Sequence, residues 1–417
     1  MTTLPTLDNI NANGKTVLVR ADLNVPMEGG RVADASRIRR LLPTLQELTR
    51  ANARVVVLSH FGRPEGTFVP SMSLAPLVDT LAEALGNTEV KFGVDCVGPA
   101  AREAVSKIPH GGIILLENLR FHAEEEKNDA AFARDLASLG EIYVNDAFSC
   151  SHRVHASVVG ITEHLPSVAG RLMQQEVEIL SSIFSDAGKP ITAIIGGAKV
   201  STKLALLENL VDRVDNLIIG GAMANTFLLA QGHSVGKSLV EEKLQTTAKH
   251  ILKEAKKKNC NVILPIDVIV KPLPTKSLIE AGTSTATVNN ISFNEMVYDI
   301  GNQTLRKISD CLRNPERTKT VIWNGPMGLF ETRPYDMATI YVAREIASLT
   351  REKKTQSIAG GGDTLSAIAQ SGLSEEFTYL STAGGAFLEW LEGKELPGIA
   401  ALTRKNADSK SKVKLSV

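Results

Sequence analysis

Residues 16–26 read TVLVRADLNVP, an apolar run that ends abruptly in polar residues, and the same design returns at VVVLSHFGRP (55–64), GIILLENLRFH (112–122) and EIYVNDAF (141–148). Longer amphipathic stretches separate these runs. Short Val- and Ile-rich runs alternating with helical patterns predict βα units and a mainly parallel sheet. In open parallel sheets ligands collect beyond the carboxyl ends of the strands. That topology would deliver Asp22, Asn24, His60, Arg63, Arg120 and Asp146 toward one edge.

The chain has 417 residues, more than one hydrophobic core usually serves, so two lobes are expected. Working outward from the first four strands, RLMQQEVEILSSIFSDAG (171–188) carries Leu172, Met173, Val177, Leu180, Ile183 and Phe184 at helical spacing before a Gly-Lys-Pro stop. It reads as a helix linking the lobes. After Pro190 the strands resume. Glycines follow five of them, in ITAIIGGAKVSTK, NLIIGGAMANTF, TVIWNGPMGLFE, QSIAGGGDTLSA and YLSTAGGAFLEW.

One glycine turn needs no ligand to explain it, because a βα turn often uses glycine simply to reverse direction. Five in one lobe, most of them leading into a helical pattern, gather free backbone N–H groups and helix N-termini around one edge, which suits phosphate binding. In the first turn Lys199 and Lys203 are four apart. The spacing predicts that both project from one face of a helix start, where they oppose the macrodipole at a cost of about 0.3–1 kcal/mol each unless an anion offsets them. Asp363, after Gly360-Gly361-Gly362 and before Thr364, has two readings: a cap for its own helix, or a carboxylate facing a phosphate-bound Mg2+. GHSVGKS (232–238) is a near miss to a phosphate-binding P-loop, since Gln231 stands where the first glycine is needed and a helix precedes it. None of the five turns spells G-x-G-x-x-G.

The first half is chemically complementary, with Arg37, His60, Arg63, Arg120, His152 and Arg153 at or just beyond strand ends in DASRIR, SHFGRP, ENLRFH and SHRVH. Taken singly, a histidine is more often structural and an arginine more often a surface residue. Six together suit a small substrate bearing phosphate and carboxylate, because the guanidinium fork binds both in two-point fashion. A carboxylate acceptor is already ionised at neutral pH, so no general base is required.

Composition narrows the partners. Lys and Arg together number 46 and Asp and Glu 46, leaving no net charge to draw the chain to nucleic acid or membrane. The cysteines at 96, 150, 260 and 311 show neither zinc-type pairing nor a disulfide framework, and the N-terminal residues lack a charged-then-apolar leader. A cytoplasmic monomer acting on small molecules is the expectation.

The segments RADLNVP, SRIR, SHFGRP, LLENLRFH, VNDAF with SHR, GGAKVSTK, WNGPMGLFE, AGGGDT and STAGGAFLE, in this order from about residue 5 to about residue 405, resemble those of the phosphoglycerate kinases. The resemblance implies an α/β fold of two Rossmann-like three-layer lobes with mainly parallel sheets joined by an interdomain helix. The lobes would be 1–170, for phosphoglycerate, and 189–391, for nucleotide, with 171–188 between them and 392–417 returning to the first lobe. It implies reversible phosphoryl transfer from 1,3-bisphosphoglycerate to Mg-ADP, in line and with closure of the lobes. By motif, Asp22, Asn24, Arg37, His60, Arg63, Arg120 and Arg153 would hold the phosphoglycerate, with His152 supporting them. Lys203, Asn324, Glu331, Gly360, Gly361, Gly362 and Thr364 would hold the nucleotide, Asp363 would face Mg2+, and Lys199 with Arg37 would stabilise the transferring group.

Three features depart from that pattern. Ala222 and Ala383 stand where the family usually has glycine, and a left-handed backbone at either would cost about 1–2 kcal/mol and weaken nucleotide binding. Cys150, two residues before His152, is expected to be the most reactive thiol if nearby cations lower its pKa, the alternative being an inert buried cysteine. The stretch 406–417, NADSKSKVKLSV, extends beyond the usual family end and reads as a flexible basic tail. Rival functions are a non-catalytic nucleotide-binding protein on this fold and a kinase for another carboxylate or carbamate.

Overall fold

The computed structural model describes residues 4–273 and 282–404; the 406–417 tail lies outside them. Eight strands open the chain: β1 Thr16–Arg20, β2 Met27–Glu28, β3 Arg31–Val32, β4 Arg54–Leu58, β5 Val90–Gly93, β6 Ile113–Leu116, β7 Ile142–Asn145 and β8 Ser167–Ala169. β2 and β3 form a small hairpin, and the other six make one parallel sheet in the order β5-β6-β4-β1-β7-β8. Val17, Leu18 and Val19 are wholly buried, as expected of a central strand covered on both faces. The helix Ser36–Arg50 turns Ile38, Leu41, Leu45 and Leu48 into the core beside this sheet, each contributing about 1.5–3 kcal/mol of burial. That packing fixes the helix start, and with it Arg37, near the end of β1.

Nine further strands follow: β9 Ile191–Ile195, β10 Asn216–Ile219, β11 Asn261–Ile263, β12 Asp267–Pro272, β13 Ser284–Thr287, β14 Glu295–Ile300, β15 Thr320–Asn324, β16 Gln356–Gly360 and β17 Tyr379–Ser381. A second parallel sheet runs β11-β10-β9-β15-β16-β17. Helix Met337–Arg351 covers it, with Val342, Ala343, Ile346 and Ala347 buried around Trp323. The third sheet, β13-β12-β14, is antiparallel. The sequence pattern does not announce it, because its edge strand STAT alternates too little to stand out.

The described residues divide into two compact units, one of 4–178 and 395–404, the other of 179–273 and 282–394. The predicted linking helix is shorter than expected, Arg171–Ile183, and gives way to a 3-10 turn at Asp186–Gly188. Its start is fixed by Asp146, whose Oδ1 accepts from Met173 N (3.0 Å). This buried carboxylate caps a helix. Burial raises its pKa to about 6.

Candidate active site

In the first unit the residues after β1, β4, β6 and β7 meet at the carboxyl edge of the sheet. Asp22 accepts from Arg37 Nη1 (2.5 Å) and from the Ser149 hydroxyl. Burial opposes its ionisation, but its coupling to the neighbouring His60, the Arg37 guanidinium and the hydrogen bonds from Ser149 and Asn24 N together hold its pKa below the usual value. Asn24 Oδ1 accepts from Gly62 N (3.0 Å), while Arg120 Nη1 donates to Gly62 O (2.7 Å). The loop carrying His60 and Arg63 is thereby clamped between the other two. Arg63 is exposed, whereas His152 and Arg153 are half-buried.

Beneath this edge lies a buried polar network that sequence reasoning missed. Arg20, at the end of β1, is almost wholly buried, and its Nε donates to Ser157 Oγ (2.8 Å). Ser157 Oγ donates in turn to Glu125 Oε1 (2.5 Å), and Tyr143 Oη donates to Ser157 O (2.6 Å). Asn118 plays a similar part, accepting from Phe61 N and Arg120 N and donating to Phe61 O and Met72 O. A charged residue closing an otherwise apolar strand was the available sign of Arg20.

Cys150 joins this network, not the solvent. It is buried, and burial pushes its thiol above the ordinary pKa even though Arg20 pulls the other way. Of the two readings of Cys150, burial and this raised pKa support the inert buried cysteine over the reactive thiol.

The second unit brings four of the five glycine turns together beyond β9, β10, β15 and β16. Gly196 N donates to Asn324 O (2.9 Å), Gly221 N to Met327 O (2.8 Å) and Met223 N to Gly197 O (2.9 Å). Gly221 has φ +67°, and a Cβ there would stand 2.6 Å from both Gly197 N and Gly197 O, so only glycine allows the approach. The turns border a cleft of about 230 Å3 that includes Gly197, Ala222, Glu331 and Asp363. Its opposite wall comes from the unforeseen antiparallel sheet through Val268, Met296 and Tyr298. An apolar wall facing glycine turns suits a flat aromatic base joined to phosphates.

The two lysines do not share a helix face. The helix begins only at Leu204, with Lys203 at its cap position and Lys199 in the preceding loop. Lys199 is exposed. Lys203 turns back, donating to Gly196 O (2.7 Å) and to both oxygens of Asn324. Burial lowers its pKa to about 8, with Asp363 opposing the shift.

Asn324 and Thr364 are buried and engaged: Asn324 Nδ2 donates to Gly360 O (2.7 Å), and Thr364 Oγ1 accepts from Gly325 N (2.7 Å). They brace the turns. Asp363 does not cap its helix, since the cap residue is Gly361 at φ +97° and no side-chain capping bond forms. Its exposed carboxylate in the first turn is left to face a ligand. One carboxylate among free backbone N–H groups fits an Mg2+ held mainly by nucleotide phosphates and water. Ala222 has φ −63°, and Ala383 is not among the residues of positive φ, so neither carries the anticipated backbone cost.

Fold and site together define a two-unit α/β phosphotransferase, with an arginine–histidine cluster in one unit and glycine turns around a cleft in the other. The family model described as phosphoglycerate kinase matches residues 7–394. Relatives with that name include those of Granulibacter bethesdensis, 52% identical over 95% of this chain and 98% of the relative, and Methylorubrum extorquens, 52% identical over 96% and 99%. The solved phosphoglycerate kinase of Coxiella burnetii superposes with a TM-score of 0.86 at 40% identity, covering 97% of this chain and 100% of that one. That of Pyrococcus horikoshii OT3 gives 0.77 at 29%, covering 96% and 98%. The chain belongs to the phosphoglycerate kinase family.

Proposed function

We propose that this chain transfers the acyl phosphate of 1,3-bisphosphoglycerate to Mg-ADP, reversibly, yielding 3-phosphoglycerate and Mg-ATP in glycolysis. The observation that carries the reading is the pairing of two dissimilar anion sites: the clamped arginine–histidine cluster of one unit and the glycine-turn cleft of the other. In this reading Asp22, Asn24, His60, Arg63, Arg120, His152 and Arg153 orient the phosphoglycerate. Gly360, Gly361 and Gly362 present backbone N–H groups to the nucleotide phosphates, Glu331 borders the nucleotide cleft, and Lys203, Asn324 and Thr364 hold the turns in shape. Arg37 and Lys199 neutralise the charge that spreads over the transferring group.

Transfer to a carboxylate or a terminal phosphate needs no proton removed, so catalysis rests on positioning and charge neutralisation. Asp363 would hold the Mg2+ of the nucleotide complex, which would supply a Lewis acid to offset charge on the phosphates. Because the two anion sites belong to different units, the reading includes closure of the units, with 171–188 as a hinge. Water excluded at that moment cannot hydrolyse either phosphate donor. The reading also takes the working form to be a monomer in the cytoplasm, consistent with a described structure in which no helix is long and apolar enough to cross a membrane.

The deciding experiment is ATP formation from ADP and 1,3-bisphosphoglycerate by the purified chain, beside Lys199→Ala and Arg37→Ala. Turnover in the parent and a loss of at least about a hundredfold in both variants is expected. Nucleotide binding without turnover would favour the non-catalytic rival.

A further inference from the structure

The first unit holds a second group of ligating side chains, apart from the basic cluster. β5 and β6 are neighbours in register, Gly93 opposite Leu116. The chain leaving β5 carries Asp95 and Cys96, and the turn after β6 carries His122. One oxygen of Asp95, the Cys96 sulfur and one ring nitrogen of His122 all lie within 4.8 Å of one another. His122 Nε2 and Asp95 Oδ1 are already 2.8 Å apart.

An ordinary Asp–His hydrogen bond beside a core cysteine is the simplest account of such a group, and three observations go beyond it. The Cys96 sulfur is fully buried, is not in a disulfide, and has no hydrogen-bond partner among the described residues. Burial, then the carboxylates of Asp95 and Glu125, push its thiol well above the ordinary pKa, an environment that a cation would relieve. Asp95 and His122 are only half-buried, which leaves an entry path and room to adjust. A buried soft ligand, a nitrogen and an oxygen in one cluster are what a borderline-soft divalent cation satisfies.

We propose that Asp95, Cys96 and His122 form a binding site for a divalent transition-metal ion of the Zn2+ class, with water as the fourth ligand. Ligand atoms on a tetrahedral Zn2+ are spaced about 3.3–3.8 Å apart, from bonds of about 2.0–2.3 Å. The Asp95–His122 pair, at 2.8 Å, would open by roughly 0.5 Å and the distances to the sulfur, at most 4.8 Å, would close by up to roughly 1 Å, movements that fall to the half-exposed Asp95 and His122 while Cys96 stays in place. Binding converts the thiol to a thiolate and releases its proton to solvent, so uptake of the ion is accompanied by proton release. His122 lies two residues beyond Arg120, and a bound ion would tie the turn carrying that arginine to the loop after β5. No paired-cysteine motif announces the site, because its ligands come from two strand ends that only the sheet makes adjacent.

Co2+ tests the proposal, because its spectrum reports both tetrahedral geometry and thiolate ligation. The full chain, stripped with chelator and free of nucleotide, would be titrated with Co2+ and then Zn2+. Expected are one Co2+ per chain, a thiolate-to-metal charge-transfer band, and displacement by one equivalent of Zn2+. Cys96→Ser should abolish the band, His122→Gln should weaken binding at least about tenfold, and Cys260→Ser should change neither. Absence of the band in the parent, or its persistence in Cys96→Ser, overturns the proposal. Should Cys96→Ser fail to fold by circular dichroism, the half-exposed His122→Gln decides, and unchanged affinity there overturns it equally.

Discussion

Arg20 Nη2 lies 3.2 Å from His60 Nδ1 in a buried site, and since a guanidinium can only donate, Nδ1 must accept. His60 is therefore neutral, with its proton on Nε2. Burial, then repulsion from Arg20, push its pKa well below the ordinary histidine value, against the pull of Asp22. A donor, not a cation, is what His60 offers to an incoming anion. Its ring nitrogens should show no titration by NMR between about pH 8 and pH 5.5. The stability sign follows, because the unfolded chain protonates this histidine first, so stability falls as pH drops below about 6.5.

Replacing Arg20 by Met removes the cation that faces Glu125 across Ser157. A buried charge left without its partner typically costs about 3–5 kcal/mol. The variant should unfold at markedly lower urea concentration. The double change Arg20→Met with Glu125→Gln should recover part of the loss, and full additivity of the two would show that they are not coupled.

Lys203 is poised to report nucleotide binding. Held near a pKa of about 8 by burial, it would be protonated and raised by the phosphates of an arriving nucleotide. ADP affinity should therefore weaken as pH rises above about 8, with proton uptake on binding near that pH. Calorimetry in buffers of different ionisation enthalpy measures both effects, and Lys203→Met should remove them.

Asp146 should make stability depend on pH in the opposite sense to His60. Its folded pKa of about 6 lies above that of an unfolded aspartate, so its contribution is complete below about pH 4 and is lost as pH rises through about 6. Relative to Asp146→Asn, the parent should lose on the order of 2 kcal/mol between about pH 4 and pH 7, read from urea unfolding. Asp146→Ala should cost about 1–2 kcal/mol at about pH 5 by uncapping helix Arg171–Ile183.

Gly221 and Ala222 should respond in opposite ways. Gly221→Ala forces a methyl against Gly197 and is expected to reduce ADP affinity at least about tenfold. Ala222→Gly sits in ordinary helical backbone and should change it less than about twofold. Equilibrium binding of ADP compares them directly.

What the sequence disclosed follows from the range over which each feature is encoded. Strand runs that end in polar residues are local, so β1, β4, β6 and β7 and the residues after them are open to direct reading. The glycine turns are equally visible, but how far a turn runs before its helix begins depends on neighbouring turns, and spacing alone misplaces Lys199 for that reason. Tertiary partners are least legible. Nothing near Cys150 in sequence indicates that Arg20, 130 residues away, encloses it, and nothing in 95–122 brings Asp95 to His122 except the pairing of β5 with β6.

The first unit takes its last described piece from the far end of the chain: residues 395–404 belong to it, and Gly398 N donates to Ser151 O (2.8 Å), next to His152. During synthesis the ribosome therefore releases the whole second unit before the first can be finished. The half that begins first is completed last, and until then the seat of Gly398 against Ser151 and Val158 stands open to chaperones and proteases. Loss of the residues from Glu395 on would accordingly be felt at the opposite end of the sequence, in the unit that carries the arginine–histidine cluster.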